Sequence, residues 1–248
     1  MNQSITVTGM VLSVTPIGEY DKRVVILSKE KGKISAFAKG ARRQNSPLMG
    51  VTNPFAFGKF ELYEGRTSYN VVQANISNYF RELTADLEGA YYGFYFMEVA
   101  DYFTREYNDE REMLKLLYQS MRALSSGKIN RELVRYIFEL KALVINGESP
   151  EVFRCANCGV GGRDVVFSSK NHGMICTECR ALATDEISLS RAGIYTLQYI
   201  VSSSIEKLYT FTVSDEVLAE LKKVVKQYTD SHIDKRFKSL EILEICLK

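Results

Sequence analysis

The chain has 248 residues, 46% apolar and 25% charged, with a formal charge of +2, five cysteines, two histidines and no tryptophan. That composition is ordinary for a folded soluble protein, and with no run of 18 apolar residues it excludes a membrane-spanning helix. The opening MNQSITVTGM lacks a basic segment followed by a long apolar one, so no signal peptide is expected and the cytoplasm is the expected compartment.

Residues 1–80 read as β structure. SITVTGMVLSV alternates and is rich in β-branched residues, and KRVVILS, KISAFAK, FAFGKFELY and YNVVQANIS follow at short spacing. Turn signals separate them at Pro16-Ile17-Gly18, Glu30-Lys31-Gly32, Gly40, Asn53-Pro54 and Glu64-Gly65-Arg66. Five short strands in so few residues fit a small closed barrel better than an open sheet, because closure removes exposed edges.

The pattern becomes helical near Phe80. DLEGAYYGFYFMEVADYFTREY and EREMLKLLYQSMRALSSG carry apolar residues at helical spacing, the second stopping at Ser125-Ser126-Gly127. Asn130 is placed to cap RELVRYIFELKALVING, which stops at Asn146-Gly147 and has one apolar stripe at 133, 137, 140 and 144. The eight aromatics from Tyr91 to Tyr107 are expected in the core rather than on a stacking platform. After a cysteine-containing segment, SLSRAGIYTLQYIVS and SDEVLAELKKVVKQYTDSHI are helical, with Ser190 and Ser214 as N-caps, and KRFKSLEIL holds a last short helix. The helices on either side of the cysteines are expected to pack together.

The expected class is therefore α+β: a five-stranded barrel at 1–80, a helical domain at 81–153 and 187–248, and a cysteine module inserted at 154–186. Charge is unevenly spread. Residues 1–80 hold ten Lys/Arg against five Asp/Glu, residues 81–153 nine against thirteen, and residues 154–248 thirteen against twelve. The basic excess is N-terminal, and Lys39, Arg42 and Arg43 cluster where the third strand ends at Gly40. A solvated loop and an anion-binding loop both fit that cluster.

Cys155-Ala156-Asn157-Cys158 and Cys176-Thr177-Glu178-Cys179 form two C-x2-C pairs seventeen residues apart. Each pair aims two sulfurs at one point, and two such turns complete a tetrahedron around one zinc ion. Gly159 helps the first turn, and DVVFSSKNHGMIC reads as a hairpin around Asn171-His172-Gly173 that returns the second pair to the first. Four thiolates leave no open position, so such a site is structural. Two disulfides, a redox pair or an iron site share the pattern. His172 is expected at the hairpin tip, with ligation as its other role, and Cys246 is expected to be a small core residue.

GMVLSVTPIGEYDKRVVILSKEKGKISAFAKGARRQNS, NPFAFGKFELYEGRTSYNVVQANI, the aromatic helix, the four cysteines, ISLSRAGIYTLQYI and HIDKRFKSLEIL occur in the order of the bacterial RecO family, which the chain resembles over nearly its whole length. Its FAKGARR loop and KSLEIL end carry the resemblance most specifically. The resemblance implies an N-terminal OB-fold, a helical domain with the metal module, and a nucleoid-associated role during repair. It implies a recombination mediator that binds single- and double-stranded DNA, anneals complementary strands, and works with RecR to place RecA on DNA coated by single-strand-binding protein.

On that reading Lys39, Arg42 and Arg43 meet phosphates, with Lys22, Arg23 and Lys33 as further DNA-binding candidates. Phe37, Tyr63 and Tyr69 are candidates for stacking on bases, although Phe37 alternates with Ser35 and has the barrel interior as another destination. Lys235, Arg236 and Lys238 form a second basic group, suited to duplex DNA, to an acidic partner tail or simply to solvent. Arg131 and Arg135 share a helix face and suit the acidic, apolar tail of the single-strand-binding protein; a surface ion pair of Arg135 with Glu139 is the competing expectation. No catalytic residue is expected: neither histidine lies in a nucleophile motif, and no G-x-x-x-x-G-K-[ST] or H-E-x-x-H segment occurs. An RNA- or tRNA-binding adaptor is the alternative function, since OB-folds and zinc modules serve RNA as well.

Overall fold

The structure, a computed structural model, describes residues 4–65, 68–162 and 164–246, so Arg66 of the expected Glu64–Arg66 turn lies outside it. The strands are β1 (Ser4–Ile17), β2 (Asp21–Ser28), β3 (Gly32–Ala38), β4 (Phe57–Glu64) and β5 (Tyr69–Asn78). They close into a barrel in the order β1-β2-β3-β5-β4, antiparallel throughout except for β3 with β5. This is the OB-fold arrangement anticipated from the five alternating runs. Val7, Val11, Val24, Ile26, Ile34, Ala36, Phe60, Leu62 and Val71 fill its interior. The segment from 39 to 56 makes no helix; its successive turns plug one end of the barrel with Ala41, Leu48 and Ala56.

Four helices follow before the cysteines: α1 (Arg81–Thr84), α2 (Leu87–Phe103), α3 (Arg111–Ser126) and α4 (Arg131–Ile145). Beyond them come β6 (Val165–Ser168), β7 (Gly173–Cys176), β8 (Ile187–Ser188), α5 (Arg191–Ser202), α6 (Asp215–His232) and α7 (Lys238–Cys246). Among the described residues no helix is long and apolar enough to cross a membrane.

The chain divides into two compact units, residues 1–125 with 237–248, and residues 126–236. In the first, α2 packs on β1 and on α7. Gly93 permits the approach of Phe55, whose ring carbon lies 2.3 Å from where a Cβ would sit. Tyr92, Tyr95, Phe96 and Phe103 of α2 are buried, as expected of that aromatic run, while Phe94 and Tyr107 are exposed. Phe237 enters between Tyr95 and Tyr102, and Glu98 accepts hydrogen bonds from the Ser239 amide and hydroxyl at the start of α7. Cys246, expected in the core, is exposed, because α7 presents Leu243 inward and leaves Cys246 facing solvent.

In the second unit, α4 packs against α5 and α6. The anticipated caps are present: Asn130 accepts from the Glu132 and Leu133 amides, Ser190 from Gly193 and Ser214 from Val217. Gly147, at φ 91°, ends α4 with Gly147 N–H donating to Val144 O and Glu148 N–H to Leu143 O, which satisfies two orphan carbonyls. The single stripe expected on α4 understates its burial. Every residue from Leu133 to Leu143 is buried, including Arg135, Glu139 and Lys141.

Lys141 donates to the carbonyls of Ile200 (3.3 Å), Val201 (2.9 Å) and Ser203 (2.8 Å), and so caps the C-terminus of α5 with a full charge. Lys141→Met keeps the apolar stem but removes the donors. A buried acceptor left unsatisfied costs about 1–3 kcal/mol, so urea unfolding should show a loss of ~2 kcal/mol. An unchanged midpoint would show that the cap contributes nothing.

Candidate nucleic-acid interface and metal centre

The basic loop after β3 is held by its backbone. Ala41 is fully buried in the barrel, so the residues on either side of it must turn outward. Gly40, at φ 68°, adopts a left-handed conformation, and its amide donates to Asp21 Oδ1 at 2.7 Å. The Arg42 amide donates to Tyr20 O at 2.8 Å and its guanidinium to Gly18 O at 3.2 Å. Arg43 lies over the Tyr20 ring, 5.1 Å from its centroid. Lys39, Arg42 and Arg43 are all exposed, and among the described residues none pairs with a carboxylate. Three cations on a pinned loop form a fixed positive edge.

The other three expected cations differ. Lys22 Nζ donates to Met49 O (3.2 Å) and Asn53 Oδ1 (2.9 Å), and burial followed by the charge of Arg42 holds its pKa below the ordinary lysine value. Lys33 is bound to α2 through the backbone oxygen (2.7 Å) and carboxylate (3.1 Å) of Asp101. Both have structural duties that compete with a phosphate. Arg23 is exposed and donates to Ser35 Oγ at 2.7 Å.

Strand register places Arg23 in an outward row. Thr15 pairs with Arg23, Arg23 with Phe37, Phe37 with Asn70, Asn70 with Tyr63 and Tyr63 with Ser4. Phe37 does not enter the barrel: β3 buries Ile34, Ala36 and Ala38 and turns Lys33, Ser35 and Phe37 outward. Tyr63 is exposed, whereas Tyr69 is buried in the barrel interior, closed to a base. The row lies at the end of β2 and β3 from which the basic loop departs. Asn70, not anticipated, joins it through the parallel β3–β5 pairing, which no local pattern announces.

Lys235, Arg236 and Lys238 are exposed, the first two ending the second unit and Lys238 opening α7 in the first. Arg131 is half-buried. Arg135 does not stand on an open face. Its Nε is 2.7 Å from Glu139 Oε1, and the two side chains are only 10% and 3% exposed. The pair expected on a helical surface is thus buried, as is every residue of α4 from Leu133 to Leu143.

The four cysteines converge. One sulfur from each of Cys155, Cys158, Cys176 and Cys179 lies within 4.8 Å of every other, with Cys158 and Cys176 at 3.7 Å. A tetrahedral ion with bonds of about 2.3 Å requires sulfurs about 3.8 Å apart, so the cluster can hold one metal ion. The hairpin β6–β7 brings the pairs together, and Gly159, at φ 75°, completes the first turn with its amide on Cys155 O. Burial opposes ionisation of Cys155, yet the amides of Cys158, Cys176 and Asn157 outweigh it and bring the thiol down to about 6. Asn157 Nδ2 donates to Cys179 Sγ at 3.3 Å. The donors favour a thiolate at Cys155, while the neighbouring sulfurs hold the Cys158 and Cys179 thiols above the ordinary value, so four crowded sulfurs ionise together only around a cation. His172 is at the hairpin tip, its ring against His232 at 5.3 Å, outside the sulfur cluster.

Residues 1–80 match the family described as Recombination protein O N terminal, and residues 84–241 match Recombination protein O C terminal. Curated relatives called DNA repair protein RecO are similar along almost the whole chain. That of Alkaliphilus metalliredigens is 32% identical over 240 residues, covering 96% of this chain and 98% of the relative. That of Acetivibrio thermocellus is 31% identical over 238 residues, with 96% and 95% covered. That of Bacillus pumilus is 29% identical over 235 residues, with 95% and 91% covered.

Proposed function

The chain belongs to the RecO family of DNA repair proteins, and on that premise we propose that it is a non-enzymatic recombination mediator. It binds single- and double-stranded DNA, anneals complementary strands, and acts with RecR to help place RecA on DNA covered by single-strand-binding protein. The observation that carries the DNA-binding reading is the backbone-pinned loop bearing Lys39, Arg42 and Arg43 beside the outward row of Arg23, Phe37, Asn70 and Tyr63. A fixed row of cations tracks phosphates, and outward aromatics on a barrel stack unpaired bases. Because such contacts neutralise repulsion between strands without reading sequence, the same surface supports annealing. In the four-cysteine module we assign one structural zinc ion held by Cys155, Cys158, Cys176 and Cys179, whose chemistry is to cross-link the two turns.

The test compares one sequence presented as single-stranded DNA, as duplex and as RNA, together with the annealing rate of complementary labelled strands. The protein should bind both DNA forms and accelerate annealing severalfold at low salt. RNA bound about tenfold more tightly than DNA, with no acceleration of annealing, would overturn the mediator reading in favour of an RNA-binding adaptor.

A further inference from the structure

The β1–β2 turn carries a large aromatic side chain whose place in the site is visible only in three dimensions. Tyr20 is 43% exposed, although Arg43 lies against its ring. Its backbone oxygen accepts from the Arg42 amide, the oxygen of Gly18 two residues earlier accepts from the Arg42 guanidinium, and the carboxylate of the next residue, Asp21, accepts from the Gly40 amide. Three bonds therefore join the turn to the loop that carries Lys39, Arg42 and Arg43, and the ring lies against Arg43. Nothing in the barrel core uses it.

We propose that Tyr20 is a base-stacking residue, taking an unpaired nucleobase of a strand whose phosphates lie on Lys39, Arg42 and Arg43. This deepens the DNA-binding reading above and rests on it. The cations satisfy the backbone of a strand, and the remaining need at such a site is a flat apolar face for the bases. The Arg43 guanidinium is attracted to the π-face of the Tyr20 ring and steadies it, while much of the ring stays exposed. Preorganisation matters here, because a ring already fixed in place loses little freedom when a base arrives. Only a single strand can use it, since in a duplex both faces of each base are already stacked.

Two variants test this. The chain has no tryptophan, so Tyr20→Trp introduces a lone indole. Its emission should be quenched by oligothymidylate over the same concentration range in which anisotropy of a labelled strand reports binding. An abasic oligonucleotide of equal length should bind without quenching. Tyr20→Ala should weaken single-strand binding at least about fivefold, while duplex binding changes by less than about twofold. Equal losses on single strand and duplex would overturn the proposal, for they would mean that Tyr20 only positions Arg43. Bound oligothymidylate with unquenched emission would overturn it as well, with the DNA-binding reading left standing. Absence of DNA binding by the wild-type protein would instead remove that reading, and this inference with it.

Discussion

Stripping the metal should cost the second unit much of its stability. The module's own core consists of Cys155, Val166, Ile175 and Ala183, with Cys176 and Cys179 against it. So few side chains cannot hold two turns and a hairpin together, and small modules of this kind depend on a metal cross-link. Structural zinc contributes several kcal/mol, and even ~3 kcal/mol lowers Tm by roughly 10 °C in a domain of this size. Purified protein should contain about one zinc per chain. Chelation should drop the thermal midpoint by that order and open the segment from 154 to 186 to proteolysis. Cys155→Ser should be worse than Cys158→Ser, because Cys155 is buried beneath three amide donors while Cys158 is exposed. DNA affinity should fall far less, since the loop cations belong to the other unit. A metal-free protein with an unaltered midpoint would sink the structural assignment.

The triple variant Lys39→Ala/Arg42→Ala/Arg43→Ala should flatten the salt dependence of oligonucleotide binding. Each lost phosphate contact takes about 0.7 from the log-log slope on single strands, or roughly 2 for the three. At ~0.1 M salt that corresponds to binding on the order of a hundredfold weaker. Loss should be similar for every sequence, because phosphate contacts position a strand without specifying it. Annealing should slow in parallel. The loop itself should stay in place. The variant removes the Arg42 guanidinium bond to Gly18 O and the Arg43 contact with Tyr20 but keeps the Gly40 and Arg42 amide anchors and the buried Ala41, and exposed substitutions usually cost under ~0.5 kcal/mol. Lys33→Ala is the contrasting control: its side chain is bound to Asp101, so it should alter stability more than slope. An unchanged slope in a folded triple variant would move the DNA path away from this loop.

Local order in this chain was legible because local rules set it. Alternation marked the five strands, and short polar side chains ahead of apolar runs marked the caps at Asn130, Ser190 and Ser214. Asn146-Gly147 marked the end of α4, since only a glycine takes φ 91° without strain. Cysteine spacing marked the sulfur cluster, because two-residue gaps within a pair are a property of one turn.

Pairing across the fold was decided by tertiary structure. Period-two alternation puts Phe37 and Ile34 on opposite faces but does not say which face is inside; closure of the barrel turned Phe37 outward and Tyr69 inward. Charge alone made Lys22, Lys33 and Lys39 look alike. The segment from 49 to 53 and the end of α2 captured the first two, leaving Lys39 to solvent. Arg135 and Glu139 have the spacing of a surface ion pair, and became buried only because the folded chain covers α4 on every side from Leu133 to Leu143. Tyr20 acquired its partner Arg43 from a loop 23 positions further on, which the buried Ala41 and the amide bonds of Gly40 and Arg42 hold against the turn. Turns, caps and ligand pairs follow from the few dihedral angles around each residue, whereas burial and long-range partners depend on which distant surfaces the whole chain must hide from water.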